Sequence, residues 1–104
     1  MNSEDIINSK YDRHRKICEE LNQTYIDKNK AYGNSFGKQF QKYGITSALV
    51  RMGDKWERFE SLAQGAENNV RDESIFDTLL DIANYAIMTV MELEDQRGGL
   101  QRES

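Results

Sequence analysis

The sequence predicts an all-α fold, a small bundle of three main helices plus a short helical turn, on three observations. Along three long segments, apolar residues recur at alternating spacings of three and four, the period of a helix with one buried face. No apolar/polar alternation enriched in β-branched residues persists over five residues, so no strand is expected. No proline occurs, so no helix is forcibly broken and glycines punctuate the chain instead. Gly33, Gly37 and Gly44 bracket one loop region, Gly65 opens a second, and Gly98-Gly99 begin a polar tail.

The first segment, about residues 4 to 30, carries a seam of Ile7, Tyr11, His14, Cys18, Leu21 and Tyr25. Cys18 on that seam reads as a small buried hydrophobe, and His14 as a core or interface histidine. A helical turn follows at about residues 36 to 43, with Ser35 as its expected cap. The second long segment, about residues 46 to 63, sets Leu49, Met52, Trp56, Phe59 and Ala63 on one side. The third, about residues 74 to 95, is apolar around most of its circumference, with Phe76, Leu79, Ala83, Ala86, Ile87 and Val90 on its broad apolar side. One all-α domain over about residues 1 to 96, with a polar flexible tail over 97 to 104, is the expected organisation of these 104 residues.

Fourteen basic against eighteen acidic side chains leave a net charge of -4, which disfavours non-specific duplex binding. Cys18 is the single cysteine, which excludes an intrachain disulfide and a thiolate metal cluster. The opening residues have no apolar core before their charges, so no signal peptide is expected. Mean hydropathy is -0.82, and the charge-free run Ile82 to Met91 is about half of what a spanning helix needs. A soluble cytoplasmic protein is expected, with no membrane partner.

The third segment poses the chemical question, because Glu73, Asp77 and Asp81 stand four residues apart among apolar neighbours. At about 100° per residue they share a sector of roughly 80° with Asn84. Ser74 with Asp77 resembles a capping box, and a first turn favours acids through its dipole. Neither reaches Asp81, two turns in. Like charges at this spacing mildly destabilise a helix unless a cation sits between them. Mg²⁺ suits such a column, since it takes carboxylate oxygens and keeps waters or phosphates elsewhere in its shell. The alternative is a narrow polar stripe with no ligand.

On the second segment Arg51, Lys55 and Arg58 cluster within about 60°, with Asp54 beside them. They form either a solvated face of weak ion pairs or, opposite an acidic column, a phosphate clamp. Gly53, inside the same helix, is either tolerated or lets something approach the backbone. The loop region holds Lys28, Lys30, Lys38 and Lys42 without an acid, interleaved with Tyr32, Phe36, Phe40 and Tyr43. Such a mixture suits a base and its phosphates, but Phe36, Phe40 and Tyr43 equally fit a cap on the core. The Tyr32-Gly33-Asn34-Ser35 turn adds backbone amides that could meet an anion.

Taken together, "KAYGNSF", "KYGITSALVRMGDKWERFESL" and "DESIFDTLLDIANYAIMTVMEL" resemble the nucleotide-modification-associated domain family of the first type, over about residues 28 to 93. These are small proteins, mostly of phages and prophages. The resemblance implies a role in nucleotide metabolism or modification in the cytoplasm of the bacterial host. It carries over to Tyr32, Gly33, Ser35 and Phe36, to Arg51, Asp54, Lys55 and Arg58, and to Glu73, Asp77, Asp81, Asn84 and Tyr85. A looser similarity is to the MazG-type all-α nucleoside triphosphate pyrophosphohydrolases. Glu57 and Glu60, followed by Glu73, echo their paired acids, but Phe76 stands where that layout wants the next acid.

The expected function is nucleotide handling. Mg²⁺ would rest on Glu73, Asp77, Asp81 and Asp54, and phosphates on Arg51, Lys55, Arg58 and Lys30. The base or remaining ligand atoms would meet Tyr32, Ser35, Phe36, Asn84 and Tyr85. An enzyme of this kind would use the metal to polarise a phosphoryl group. A non-catalytic protein that sequesters a nucleotide signal, or a phage-encoded inhibitor of a host protein, is the alternative. A homo-oligomer is expected in either case.

Overall fold

The computed structural model describes residues 2–65 and 73–98. Among them are four helices and no strand: α1 (Ser3–Tyr32), α2 (Ser35–Tyr43), α3 (Ile45–Gln64) and α4 (Glu73–Gln96). The chain divides into two compact units, Met1–Gly33 and Asn34–Ser104. Most of the expected polar tail lies outside the described residues.

The first unit is α1. Asn2 caps it by accepting the Asp5 amide at 2.8 Å, and Glu4 and Asp5 in the first turn complement the helix dipole. Side-chain contacts along its own length brace it. Arg15 bridges Asp12 and Glu19, Lys16 reaches Asp12 at 3.0 Å, and Gln23 donates to Asp27 at 2.9 Å, all at helical spacings. Hydrogen bonds from Lys16 and Arg15 hold the Asp12 carboxyl below its ordinary range. Leu21 is the buried residue of this seam, whereas Ile7 and Tyr11 are exposed. Cys18 is exposed rather than buried, its sulfur 3.8 Å from Nδ1 of His14, because its side of the helix is open to solvent.

The second unit is built from α2, α3 and α4. Gly33 and Gly44, both with φ near +70°, end α1 and α2 in a backbone region open to glycine at little cost. Ser35 is the first residue of α2 rather than its cap. Asn34 holds the cap position, with no hydrogen bond from its side chain. At the α2–α3 corner the Gly44 amide donates to the Phe40 carbonyl at 2.7 Å, and the Gly44 carbonyl accepts from the Ser47 amide and hydroxyl.

Phe36, Phe40 and Ala48 form the core, with Tyr85, Met88 and Leu93 of α4 packed against them. Phe40 is 1% exposed, but Tyr43, which shares its spacing, is 61% exposed and so does not cap the core. Helices α3 and α4 run antiparallel. Lys55 meets Asp81, and one heptad earlier on α3, Ala48 joins the cluster that Tyr85 and Met88 cover from later in α4.

Two departures from the expected packing matter. On α3, Ala48, Lys55 and Leu62 turn inward, while Leu49 and Trp56 of the expected seam are exposed. On α4 much of the relation is inverted. Its inner seam is the largely polar series Ser74, Thr78, Asp81, Tyr85, Met88 and Glu92, every member buried or half-buried. Of its apolar side, Phe76, Leu79, Ala86, Ile87 and Val90 are exposed and Ala83 is half-buried. The helix begins at Glu73, so Ser74 lies inside it and does not cap it.

Candidate functional site

The inner seam of α4 follows spacings of four, three, four, three and four, so all six side chains share one stripe toward α3 and α2. Thr78 is 2% exposed and donates its hydroxyl to the Ser74 carbonyl at 2.6 Å, which satisfies it inside its own helix. Thr89 does the same to Tyr85 at 2.7 Å.

One turn beyond Thr78, Asp81 faces α3, and its Oδ2 lies 3.0 Å from Nζ of Lys55. This ion pair is the contact around which the charged site assembles. A second cation, Arg51, stands one turn before Lys55 on α3. Its guanidinium donates to Oε1 of Gln39 and lies 5.6 Å from the centre of the Phe36 ring. Phe36 stacks at 5.8 Å on Tyr85, with 27° between the rings. Gln39, Arg51, Phe36 and Tyr85 therefore form a continuous chain of contacts across all three helices. At the far end of the seam, burial pushes the Glu92 carboxyl above its ordinary value, with a smaller contribution from the nearby charge of Asp95.

The expected site residues separate into groups. Arg51, Lys55, Asp81 and Tyr85 come together between α2, α3 and α4, with Asn84 half-buried beside them on α4. Asp77 is exposed, and Asp54 and Arg58 are exposed on α3. The side chain of Glu73 lies outside the described residues. Phe36 is 7% exposed, with Arg51 and Tyr85 against it, and so serves as core. Ser35 is exposed at the start of α2, and Lys30 and Tyr32 are exposed at the end of α1 in the first unit.

Of the acidic column, Asp81 is half-buried and Asp77 exposed, and the side chain of Glu73 lies outside the described residues. A four-residue step drifts around a helix of 3.6 residues per turn. Asp77 is therefore offset from Asp81 by about 40°, at the exposed edge of the inner seam on which Asp81 lies. Among the described residues no group of three or more His, Cys, Asp or Glu side chains converges as a metal cage. Asp81 is instead neutralised by a cation from the facing helix. Gln39, Thr78 and Glu92 were not singled out in the sequence. The alternation of four and three from Ser74 to Glu92 would have found the last two.

Compared with models of known families, residues 28–93 match the one described as nucleotide modification associated domain 1. No curated protein and no solved structure matches.

Proposed function

The chain belongs to the nucleotide modification associated domain 1 family, and from that membership we propose that it binds a nucleotide at the polar seam between α3 and α4. The observation that carries this reading is the Lys55–Asp81 pair with Arg51 one turn away. Two cations held by exchangeable partners can turn to phosphate oxygens, which bind more strongly than a single carboxylate or an amide. Asn84 and Tyr85 supply hydrogen-bonding and ring surface next to them.

Phosphate binding would draw Lys55 from Asp81 and leave that carboxylate available, with Asp77 a turn before it, for Mg²⁺ bridging to the phosphates. The metal would supply charge neutralisation and, in an enzyme, polarisation of a phosphoryl group. Asp81 has a counter-ion of its own, which favours a second reading, a protein that holds its nucleotide without turning it over.

Titration calorimetry with a panel of nucleoside triphosphates and cyclic nucleotides, in Mg²⁺ and in EDTA, tests both. Lys55→Met should weaken binding at least tenfold. Asp81→Asn should weaken it in Mg²⁺ only if the carboxylate is a ligand, and strengthen it if Asp81 merely competes with phosphate for Lys55. Product formed in Mg²⁺ and abolished by EDTA identifies a phosphohydrolase, whereas intact ligand identifies a sequestering protein. Failure of every nucleotide to bind defeats the proposal.

A further inference from the structure

Charge in the second unit is segregated along the chain. From Asn34 to Gly53 it carries Lys38, Lys42 and Arg51 and no acid, and every acid of the unit comes later, from Asp54 onward. Lys38 and Lys42 are exposed on the side of α2 opposite the buried Phe36 and Phe40, about 40° apart around the helix. Among the described residues neither lysine pairs with a carboxylate. Like charges four residues apart repel each other. Lys38 is further disfavoured by the helix dipole, because it stands near the N-terminal end of α2, whose first turn holds no acid. The strip is therefore uncompensated, in a chain that is acidic as a whole.

Two contacts extend it. Toward the α2–α3 corner, Nζ of Lys42 lies 5.3 Å from the centre of the Tyr43 ring. That ring is 61% exposed, although its spacing continues that of the buried Phe36 and Phe40. In the other direction Gln39, three residues before Lys42 and next to it on the helix surface, accepts from the Arg51 guanidinium. Arg51 stands one turn from the Lys55–Asp81 pair. An exposed ring, two lysines and an arginine thus follow one another from the corner to the polar seam.

We propose that this strip binds single-stranded nucleic acid as the continuation of the nucleotide site. The end nucleotide of the strand occupies the seam between α3 and α4, the next phosphates lie along Lys42 and Lys38, and a base stacks on Tyr43. The inference rests on the nucleotide reading of the seam and names its substrate class, a short single strand in place of a lone nucleotide. Regularly repeated negative charge relieves a row of like cations, and an exposed ring accepts the flat face of any base. A duplex would need a broader basic surface than one helix side in an acidic chain. An acidic peptide would answer the lysines but offers the ring no repeating planar group.

Fluorescence anisotropy with a labelled mixed-sequence oligonucleotide of about six nucleotides should show binding at least about tenfold tighter than that of the nucleoside monophosphates supplied singly. Deoxy and ribo strands titrated separately identify the sugar by the tighter of the two. Affinity should fall with salt, and Lys38→Gln with Lys42→Gln should lower the slope of log affinity against log salt by about 1.4, the share of two phosphates. The same double variant should weaken strand binding about tenfold while calorimetry finds mononucleotide binding unchanged. Glutamine keeps the helix propensity of lysine and removes a repulsion, so the melting point should not fall. Tyr43→Ala should weaken strand binding by about fivefold or more. A strand bound no tighter than its nucleotides, or bound as tightly by the double variant, overturns the inference and leaves the nucleotide reading of the seam standing. Strand binding by a chain that takes no single nucleotide defeats the seam reading, and with it the placing of the strand's end there.

Discussion

Lys55 and Asp81 meet at 3.0 Å across α3 and α4 with 33% and 30% of their side chains still exposed. A pair that wet contributes little to stability, since Coulomb attraction is screened and two flexible side chains must be ordered. The double-mutant cycle of Lys55→Met and Asp81→Asn, read by urea unfolding, should give a coupling of about 0.5 kcal/mol. A coupling of several kcal/mol would mean that the pair is a structural lock instead of an exchangeable contact.

Gly53 lies inside α3, and a methyl group built on it meets nothing within 4 Å. Glycine in a helix interior costs about 1 kcal/mol relative to alanine. Gly53→Ala should therefore raise the thermal midpoint by several degrees in a chain of this size. Calorimetry that shows no gain, or a loss, would mean that another molecule needs the space in the native assembly.

Glu92 titrates above its ordinary value because burial disfavours its charge. The folded state therefore holds this proton more tightly than the unfolded state does. Stability from this group is fully present below the unfolded value and is lost as pH rises through the folded one. Glu92→Gln should accordingly raise the thermal midpoint at pH 7, and the advantage should vanish below about pH 4. A difference that stays constant with pH would assign the effect to packing.

Element positions were legible because each long segment keeps its apolar spacing over many turns, and because Gly33 and Gly44 mark corners that need positive φ. What covers each face was not legible. Leu49 and Trp56 have the spacing of a core seam, and the structure leaves them outside while Ala48 and Lys55 turn in. Periodicity identifies a face that avoids water, but it does not say which other surface removes the water. The same limit explains Cys18, which lies on an apolar seam and is exposed. At the site, the cations of α3 and the acid of α4 were recognisable as types. Their pairing was not, because it depends on the antiparallel register that sets Lys55 opposite Asp81.

The outward-facing apolar side of α4 also bears on how the protein behaves at different doses. Phe76, Leu79, Ile87 and Val90 present a strip of hydrocarbon to water, and contact between such strips is favoured by the apolar area it removes from water. Dilution and a charge in place of Phe76 or Val90 therefore act in the same direction, toward a chain that stays in solution, and neither touches the polar seam.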